Sequence, residues 1–245
     1  MTELVLLRHG QSLWNAEGRL TGWTNVPLTE RGREEGREAG RALRERGHDF
    51  DVIHTSLLQR AVTTAALVLD SLEPRERTIR RAWQLNERHY GTRTGAPRPG
   101  DAGAVEPDGP DAWWGSRHGR PPAFERGDPR NPANDPRYGG LDRAQRPCTE
   151  SLADVLERVS TYWRRSIRPD LTAGRRVLIV GHGNALALLA TAVEGSSASD
   201  PVAAPIPTGG GVVYAFDRHL GIESRFDMEP ARRGRTGTVD RSVGE

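Results

Sequence analysis

The chain has 245 residues, 28% of them charged, and 35 basic residues, all arginine, nearly balance 33 acidic residues to give a formal net charge of +2. This length can bury a sizeable core, whereas a mean hydropathy of -0.66 and the lack of any run of about 18 apolar residues argue against a transmembrane helix. The absence of lysine excludes Schiff-base chemistry through a lysine side chain. The arginines are scattered among acidic residues, without aromatic stacking platforms, which argues against a nucleic-acid-binding surface.

Cysteine content and the N-terminal residues indicate the cellular compartment. Cys148 is the only cysteine, so neither an internal disulfide nor a cysteine metal site is available, which favours a reducing environment. Thr2 and Glu3 lead directly into an apolar strand, unlike the start of a signal peptide. We therefore expect a cytoplasmic protein without a membrane partner.

Strand and helix patterns alternate along the chain. Strands are predicted over five segments: 3–8, 51–54, 78–81, 176–181 and 212–216. Helices are predicted over four segments: 30–46, 57–72, 150–166 and 184–193. Thr29 and Thr149 are placed to cap the first and third of these helices. The alternation predicts an α/β fold, with a doubly wound, mostly parallel sheet between two helical layers.

The stretches between these elements define the predicted domain organisation. Residues 92–148 are rich in Gly, Pro, Asp and Arg and have little periodicity. A loop of this length in a compact fold is usually a lid or binding loop. We therefore predict a single domain over residues 1–228, with 92–148 as a lid or substrate loop inside it. Residues 229–245 are poor in apolar side chains and are predicted to form a flexible C-terminal tail.

Two histidine–glycine pairs follow apolar strands. L-L-R-H-G places Arg8 and His9 after the first strand, and I-V-G-H-G places His182 after a later strand. Ligands of open parallel sheets bind beyond the carboxyl ends of the strands. An imidazole there can attack phosphorus, and an arginine can bind the phosphate oxygens with its planar fork. One such pair is common and carries little information, but the two together predict a site for phosphoryl transfer.

Other residues are predicted to reach the same edge of the sheet. Arg60 lies early in the helix that follows the second strand, and Glu87 follows the third. The histidines and Glu87 could also bind a metal, but the adjacent arginines argue against a cation in that pocket. The segment G-H-G-N-A-L at 181–186 is similar to the start of a dinucleotide-binding motif, but it lacks the third glycine at the required spacing.

Taken in order, these motifs resemble the cofactor-dependent phosphoglycerate mutase branch of the histidine phosphatase superfamily. The resemblance spans about residues 3–217. The matching segments are R-H-G-Q-S-L-W-N at 8–15, T-G-W-T-N-V-P-L-T-E-R-G at 21–32, T-S-L-L-Q-R-A at 55–61, L-N-E-R-H-Y-G at 85–91, P-C-T-E-S-L at 147–152, G-H-G-N at 181–184 and I-P-T-G at 206–209. The resemblance implies the phosphoglycerate-mutase-like fold.

The resemblance also implies roles for single residues. His9 is the implied nucleophile that becomes phosphohistidine, and Glu87 the implied general acid and base. The residues implied to surround the transferring phosphoryl group are Arg8, Arg60 and His182. Contacts to the phosphate or the rest of the substrate are predicted for Asn15, Thr21, Gly22, Arg88, Tyr90, Arg98, Trp114, Gly183 and Asn184.

The same resemblance sets expectations for cofactors and partners. No metal or nucleotide is expected to bind, and 2,3-bisphosphoglycerate or another phosphoryl donor is a candidate primer. The expected partner is a small phosphorylated metabolite, and a homodimer or homotetramer is a candidate assembly.

One departure from the family pattern bears on the substrate. The family carries an arginine pair directly after the tryptophan that corresponds to Trp113, and this pair holds the far acidic group of the phosphoglycerate. Here the two positions are Trp114 and Gly115. Each charged hydrogen bond lost removes about 1.5–3 kcal/mol. Arg117 or Arg120 is placed to compensate in part.

The sequence therefore leaves three functions open. The first is a mutase-like phosphotransferase acting on a small phosphorylated or phosphonate acid, with a substrate altered from phosphoglycerate. The second is a phosphatase that hydrolyses a small phosphomonoester through the same phosphohistidine. The third is a non-catalytic phosphate-binding module, against which the complete set of implied catalytic residues argues.

Overall fold

The computed structural model describes residues 2–99, 109, 111–195 and 206–230. The strands of this part of the chain form one sheet in the order β3-β2-β4-β1-β5-β6. Their bounds are β1 Thr2–Arg8, β2 Val52–Thr55, β3 Thr78–Arg81, β4 Val177–Gly181, β5 Gly211–Phe216 and β6 Ile222–Met228. Strands β1 to β4 pair in parallel, and β5 and β6 are antiparallel to their neighbours, which confirms the predicted mostly parallel sheet.

Helices cover both faces of this sheet. Their bounds are α1 Leu13–Ala16, α2 Glu30–Glu45, α3 Gln59–Asp70, α4 Leu152–Tyr162, α5 Arg168–Thr172 and α6 Gly183–Val193. Side chains of β1 alternate between the two layers: Leu4 and Leu6 pack with α4 and α6, whereas Val5 and Leu7 pack with α2 and α3. The predicted three-layer α/β/α architecture is therefore confirmed. Within the described ranges, no helix combines the length and the apolar character needed to cross a membrane.

Strand β6 is absent from the sequence-based assignment. Its residues I-E-S-R-F-D-M are exposed except for the last, because β6 is the edge strand beside β5. An edge strand with polar residues on both faces has too little apolar alternation to be detected by hydrophobic periodicity.

The helix caps agree only in part with the prediction. The Thr29 hydroxyl accepts a hydrogen bond from the N–H of Gly32 at 3.0 Å, as expected for the cap of α2. The prediction for Thr149 is wrong, because Ser151 caps α4. The Ser151 hydroxyl accepts from the N–H of Asp154 at 3.2 Å, and the Asp154 carboxylate accepts from the N–H of Ser151 at 2.7 Å. This reciprocal capping box begins the helix at Leu152.

The glycine- and proline-rich stretch from 92 to 148 contains short 3₁₀ turns and no strand or α-helix in its described part. Tyr138 is fully buried against Trp23, and its hydroxyl accepts a hydrogen bond from the side-chain amide of Asn86 at 3.0 Å. This part of the stretch therefore packs beside the segment that carries Glu87. Its action as a lid stays a prediction, and of the predicted tail, residues 231–245 lie outside the described residues.

The loop after β1 is held by direct backbone contact with helix α2. A Cβ atom on Gly32 would lie 2.0 Å from the carbonyl oxygen of Gln11. The N–H of Gln11 also donates to the Glu35 carboxylate at 2.7 Å, and its carbonyl accepts from the N–H of Thr29 at 2.9 Å. The start of α2 therefore fixes the loop that follows His9.

We predict that Gly32→Ala destabilises the protein by about 1–3 kcal/mol, because the methyl group displaces the loop backbone. This loss outweighs the gain of about 1 kcal/mol that alanine brings to a helix interior. Gly36→Ala, one turn later, is the matched control, since its Cβ would meet side-chain atoms rather than backbone: Leu67 at 3.3 Å and Thr64 at 3.6 Å. Urea unfolding curves measure both variants, and equal stabilities would contradict the assigned contact.

Candidate active site

The predicted catalytic residues meet at the carboxyl ends of parallel strands. Arg8 ends β1 and His9 follows it, while His182 follows β4 and occupies the N-cap position of α6. The two imidazole rings lie with their centroids 4.9 Å apart at an interplanar angle of 63°. Arg60, the second residue of α3, places its Nε atom 3.3 Å from Nε2 of His9. The convergence expected from the strand ends is thus present.

A cavity of about 120 Å³ opens at this point. All but two of the predicted site residues line it, together with Arg19 and Leu20, which sequence reasoning missed. The lining residues are Arg8, His9, Asn15, Arg19, Leu20, Thr21, Gly22, Arg60, Glu87, Tyr90, Arg98, Trp114, Gly183 and Asn184. Such a volume suits a phosphate group, and the remainder of a substrate would occupy the mouth.

The surroundings of His9 define its reactive atom. Its Nδ1 atom lies 2.6 Å from the carbonyl oxygen of Gly10, which can only accept, so the proton resides on Nδ1. Nε2 is therefore unprotonated, and its lone pair, which accepts a long hydrogen bond of 3.3 Å from Nε–H of Arg60, is the one available for attack. Burial, and then the charges of Arg60 and Arg8, lower the pKa of His9 well below its ordinary value of 6.5. The ring is consequently a neutral nucleophile at neutral pH.

The Arg60 guanidinium is the central positive charge of the cavity. It is 1% exposed, and its two terminal nitrogens donate to the carbonyl oxygens of Thr24 at 2.8 Å and Gly22 at 2.7 Å. Burial lowers the pKa of Arg60 to about 10, so the group stays protonated at neutral pH. A fixed cation in a buried site stabilises anionic oxygens far more than one exposed to water.

Several buried polar atoms around the cavity have no hydrogen-bond partner among the described residues. They are Nε of Arg8, Oγ1 of Thr21 and Nδ1 of His182. Buried polar groups are nearly always paired in folded proteins, and groups left unpaired often mark a binding site. Three such atoms around His9 fit a ligand with several acceptor oxygens, such as a phosphoryl group.

Glu87 is held by backbone groups on both of its oxygens. Oε1 accepts from the N–H of Arg88 at 2.8 Å, and Oε2 accepts from the N–H of Asn184, in the first turn of α6, at 3.4 Å. Arg158 steadies the same segment by donating to the carbonyl of Glu87 at 3.0 Å and to the Glu150 carboxylate at 2.7 Å. The carboxyl group therefore faces the cavity in a defined orientation.

Two of the predicted residues do not line the cavity. His182 is fully buried and is absent from the lining residues, but its ring contacts that of His9, which does line the cavity. Arg88 points away: it donates to the carbonyls of Glu150 at 2.9 Å and Gly119 at 2.8 Å, and stacks over Trp113 at 5.1 Å. The structure thus does not bring Arg88 to the predicted substrate position, because backbone carbonyls engage its guanidinium.

Arg19 lines the cavity, although no sequence motif predicts its position there. Its guanidinium stacks over Trp14 at 4.4 Å and donates to the carbonyl of Gly95 at 2.7 Å and to the Glu17 carboxylate at 3.0 Å. Its position directly before Leu20 and the T-G-W segment was the one available signal.

One wall of the cavity is aromatic, and we call it the distal wall because the family resemblance places the far end of the substrate there. Trp114 lines it, with its ring 6.3 Å from that of Tyr90 and 5.5 Å from that of Trp113. Arg120 instead binds the Asp154 carboxylate at 2.6 Å, and neither Arg120 nor Arg117 is among the lining residues. The compensation considered for the missing arginine pair is therefore not provided by Arg120.

The low pKa of His9 has a measurable consequence. Because the folded protein disfavours the charged imidazole, the titration midpoint of His9 should lie well below 6.5, and the neutral form should persist as the pH falls through 6.5. Arg60→Met removes a nearby positive charge and should raise this midpoint. Histidine NMR titration measures the shift, with Arg44→Met on the exposed surface as the control. A wild-type midpoint near 6.5 would contradict the assigned electrostatics.

Comparisons with known proteins agree with this geometry. A model of the histidine phosphatase superfamily (branch 1) matches residues 4–131, just over half of the chain. The mycobacterial glucosyl-3-phosphoglycerate phosphatase is 23% identical, with a TM-score of 0.63, over 88% of this chain and 93% of that one. The alpha-ribazole phosphatase from Shigella flexneri is 22% identical, with a TM-score of 0.63, over 93% and 94%.

A third similar structure is Bacillus stearothermophilus YhfR, which is 25% identical, with a TM-score of 0.61, over 89% of this chain and 92% of that one. These likenesses extend the shared fold well beyond the residues that the family model matches. The predicted family and class of enzyme are confirmed: the chain belongs to the histidine phosphatase superfamily (branch 1).

Proposed function

We propose that the protein is a phosphatase that hydrolyses a small phosphomonoester through a phosphohistidine at His9. The observation that carries this proposal is the distal wall of the cavity, where Trp114 stands in place of a guanidinium. The similar structures support the proposal, since two of those described above are named as phosphatases.

The proposal follows from what a mutase has to bind. A phosphoglycerate mutase holds its bisphosphate in two orientations and therefore needs an anion clamp at both ends of the cavity. Here Arg8 and Arg60 supply cations at the His9 end, whereas the distal wall presents the rings of Trp114 and Tyr90. Two lost charged hydrogen bonds, at about 1.5–3 kcal/mol each, weaken binding of a phosphoglycerate acceptor by a factor of about 100 or more. Water then becomes the competing acceptor.

The first chemical step forms the phosphoenzyme. The lone pair of Nε2 on His9 attacks phosphorus, the bond from phosphorus to the ester oxygen breaks, and the carboxyl group of Glu87 gives its proton to that oxygen. Arg8, Arg60 and His182 bind the three equatorial oxygens, on which charge resides in a loose transition state.

The second step returns the enzyme to its starting state. The Glu87 carboxylate takes a proton from water as the water oxygen attacks phosphorus. The bond between phosphorus and Nε2 breaks, and its electron pair returns to His9. Inorganic phosphate leaves. We propose that neither a metal nor a bisphosphate primer takes part, since guanidinium groups supply the positive charge and the ester itself phosphorylates the enzyme. Among the described residues, no cluster of His, Cys, Asp and Glu suits a metal ion.

The distal wall also indicates the kind of substrate. Trp114, Tyr90 and Leu20 present ring and apolar surface beside the phosphate position. Aromatic faces favour a planar or apolar group packed against them. We therefore propose a phosphomonoester whose leaving group stacks on Trp114, used outside central glycolysis.

A specific observation favours the mutase-like phosphotransferase as the second candidate. Arg19 and Arg98 line the same cavity as Trp114 and add positive charge to it. A small acid phosphate with its acidic group turned toward these arginines would still be bound at both ends.

A panel of phosphorylated metabolites and aryl phosphates distinguishes the two candidates. We expect release of inorganic phosphate, a kcat/KM at least about tenfold higher for aryl phosphates than for 3-phosphoglycerate, and no isomer with or without 2,3-bisphosphoglycerate. All assays contain a chelator. Interconversion of the two phosphoglycerates with a kcat/KM of about 10⁴ M⁻¹s⁻¹ or more would instead establish a mutase.

The same panel applied to variants of Trp114 tests the distal wall. Trp114→Arg should lower kcat/KM for aryl phosphates and raise it for 3-phosphoglycerate, whereas Trp114→Phe keeps an aromatic face and should largely preserve the wild-type order. Gly115 is left unchanged, because its φ of +77° would strain any other residue and confuse the result. Equal effects of the two substitutions would contradict a role for the ring.

A further inference from the structure

His182 is a buried histidine, and the position of its ring proton decides which of its two nitrogens can donate a hydrogen bond. Burial, and then the charge of Arg60, lower the pKa of His182 well below 6.5, so the ring is neutral at neutral pH. A neutral imidazole carries one N–H and one acceptor nitrogen. Only the tautomer with its proton on the nitrogen that faces the phosphoryl group can donate to it.

Ser56 contacts the other nitrogen of this ring. Its Oγ atom lies 2.8 Å from Nε2 of His182 and accepts a hydrogen bond from the N–H of Leu58 at 3.1 Å. Ser56 is fully buried, and in the described ranges its hydroxyl contacts no acceptor other than Nε2. The hydroxyl proton therefore points at Nε2, which must be the acceptor nitrogen.

The proton of His182 is then on Nδ1. This atom is buried and has no hydrogen-bond partner among the described residues. The ring lies edge-on to His9, with centroids 4.9 Å apart, so His182 borders the place where a phosphoryl group on His9 would sit. We propose that Ser56 is a positioning residue that fixes His182 as the Nδ1–H tautomer, so that Nδ1 donates to a phosphoryl oxygen. This inference rests on the proposed function for its catalytic consequence alone.

The opposite tautomer would be unfavourable in the phosphoenzyme. Nε2–H would donate to Ser56, and the lone pair of Nδ1 would face anionic oxygens. A donor would thereby be replaced by a repulsive contact at the atoms where charge resides in the transition state. Ser56 thus acts through His182, without contact to the substrate.

Nitrogen-15 spectra of histidine-labelled protein test the tautomer directly. His9 and His54 are internal references of opposite type: His9 donates from Nδ1 to a carbonyl, and His54 lies with Nε2 2.9 Å from the Asp170 carboxylate, to which it donates. We expect His182, assigned from the spectrum of His182→Asn, to match His9 in the wild type. In Ser56→Ala we expect the Nε2–H form to become populated.

Kinetics and anion binding test the consequence. Ser56→Ala should lower kcat for an aryl phosphate about 10- to 100-fold, with a smaller change in KM, and weaken binding of inorganic vanadate. Thr55→Val is the matched control, because it removes the neighbouring buried hydroxyl, which donates to the carbonyl of Val180 at 2.9 Å and does not contact His182. This control should keep wild-type kcat and vanadate affinity.

The outcomes separate this inference from the phosphatase assignment. A wild-type His182 in the Nε2–H form, or a Ser56→Ala enzyme no slower than Thr55→Val, would overturn the role of Ser56. A wild type without phosphatase turnover would overturn the proposed function, and the tautomer spectra and vanadate affinities would still decide the role of Ser56.

Discussion

The site depends on one buried cation. The Arg60 guanidinium is almost fully enclosed, and among the described residues it is compensated by carbonyl oxygens, without an ion pair. The carbonyls accept from its terminal N–H groups and His9 accepts from Nε–H, but these neutral partners leave the charge in place, so its field acts on the neighbouring groups. Burial is the larger cause of the low pKa of both histidines, and the Arg60 charge adds to it while also attracting the phosphate.

Sequence patterns were informative where chemistry follows a buried strand. β1 and β4 are buried neighbours that pair in parallel, so His9 and His182, which follow their carboxyl ends, meet at one edge of the sheet. Arg60 and Glu87 followed the same rule. These placements needed only the periodicity of the strands and the geometry of a parallel sheet.

The sequence could not predict side-chain positions that depend on long-range contacts with loops. Arg88 is drawn away from the cavity by carbonyls of residues 31 and 62 positions further along the chain, a contact that no local pattern encodes. Arg19 enters the cavity because Trp14 and the carbonyl of Gly95 support it. Ser56 gives no sign in the sequence of its bond to His182, because the two residues are 126 positions apart. Long-range polar contacts of this kind become visible only in the folded chain.

In the proposed function, the distal wall changes the outcome of the reaction while the catalytic residues at His9 stay the same. We propose that the ring of Trp114, in place of cations, leaves the chemistry at His9 intact and alters which acceptor stays bound long enough to receive the phosphoryl group. At the second position of the missing arginine pair, Gly115 is exposed and has a φ of +77°, a backbone conformation that favours glycine.

The fate of the phosphoryl group on His9 tests this account most directly. Rapid mixing with a ³²P-labelled phosphomonoester, followed by quenching, should trap an acid-labile, base-stable adduct that is absent from His9→Ala. The label should then pass to inorganic phosphate even when 3-phosphoglycerate is present in excess. Full turnover without an adduct, or transfer of the label to phosphoglycerate, would contradict it.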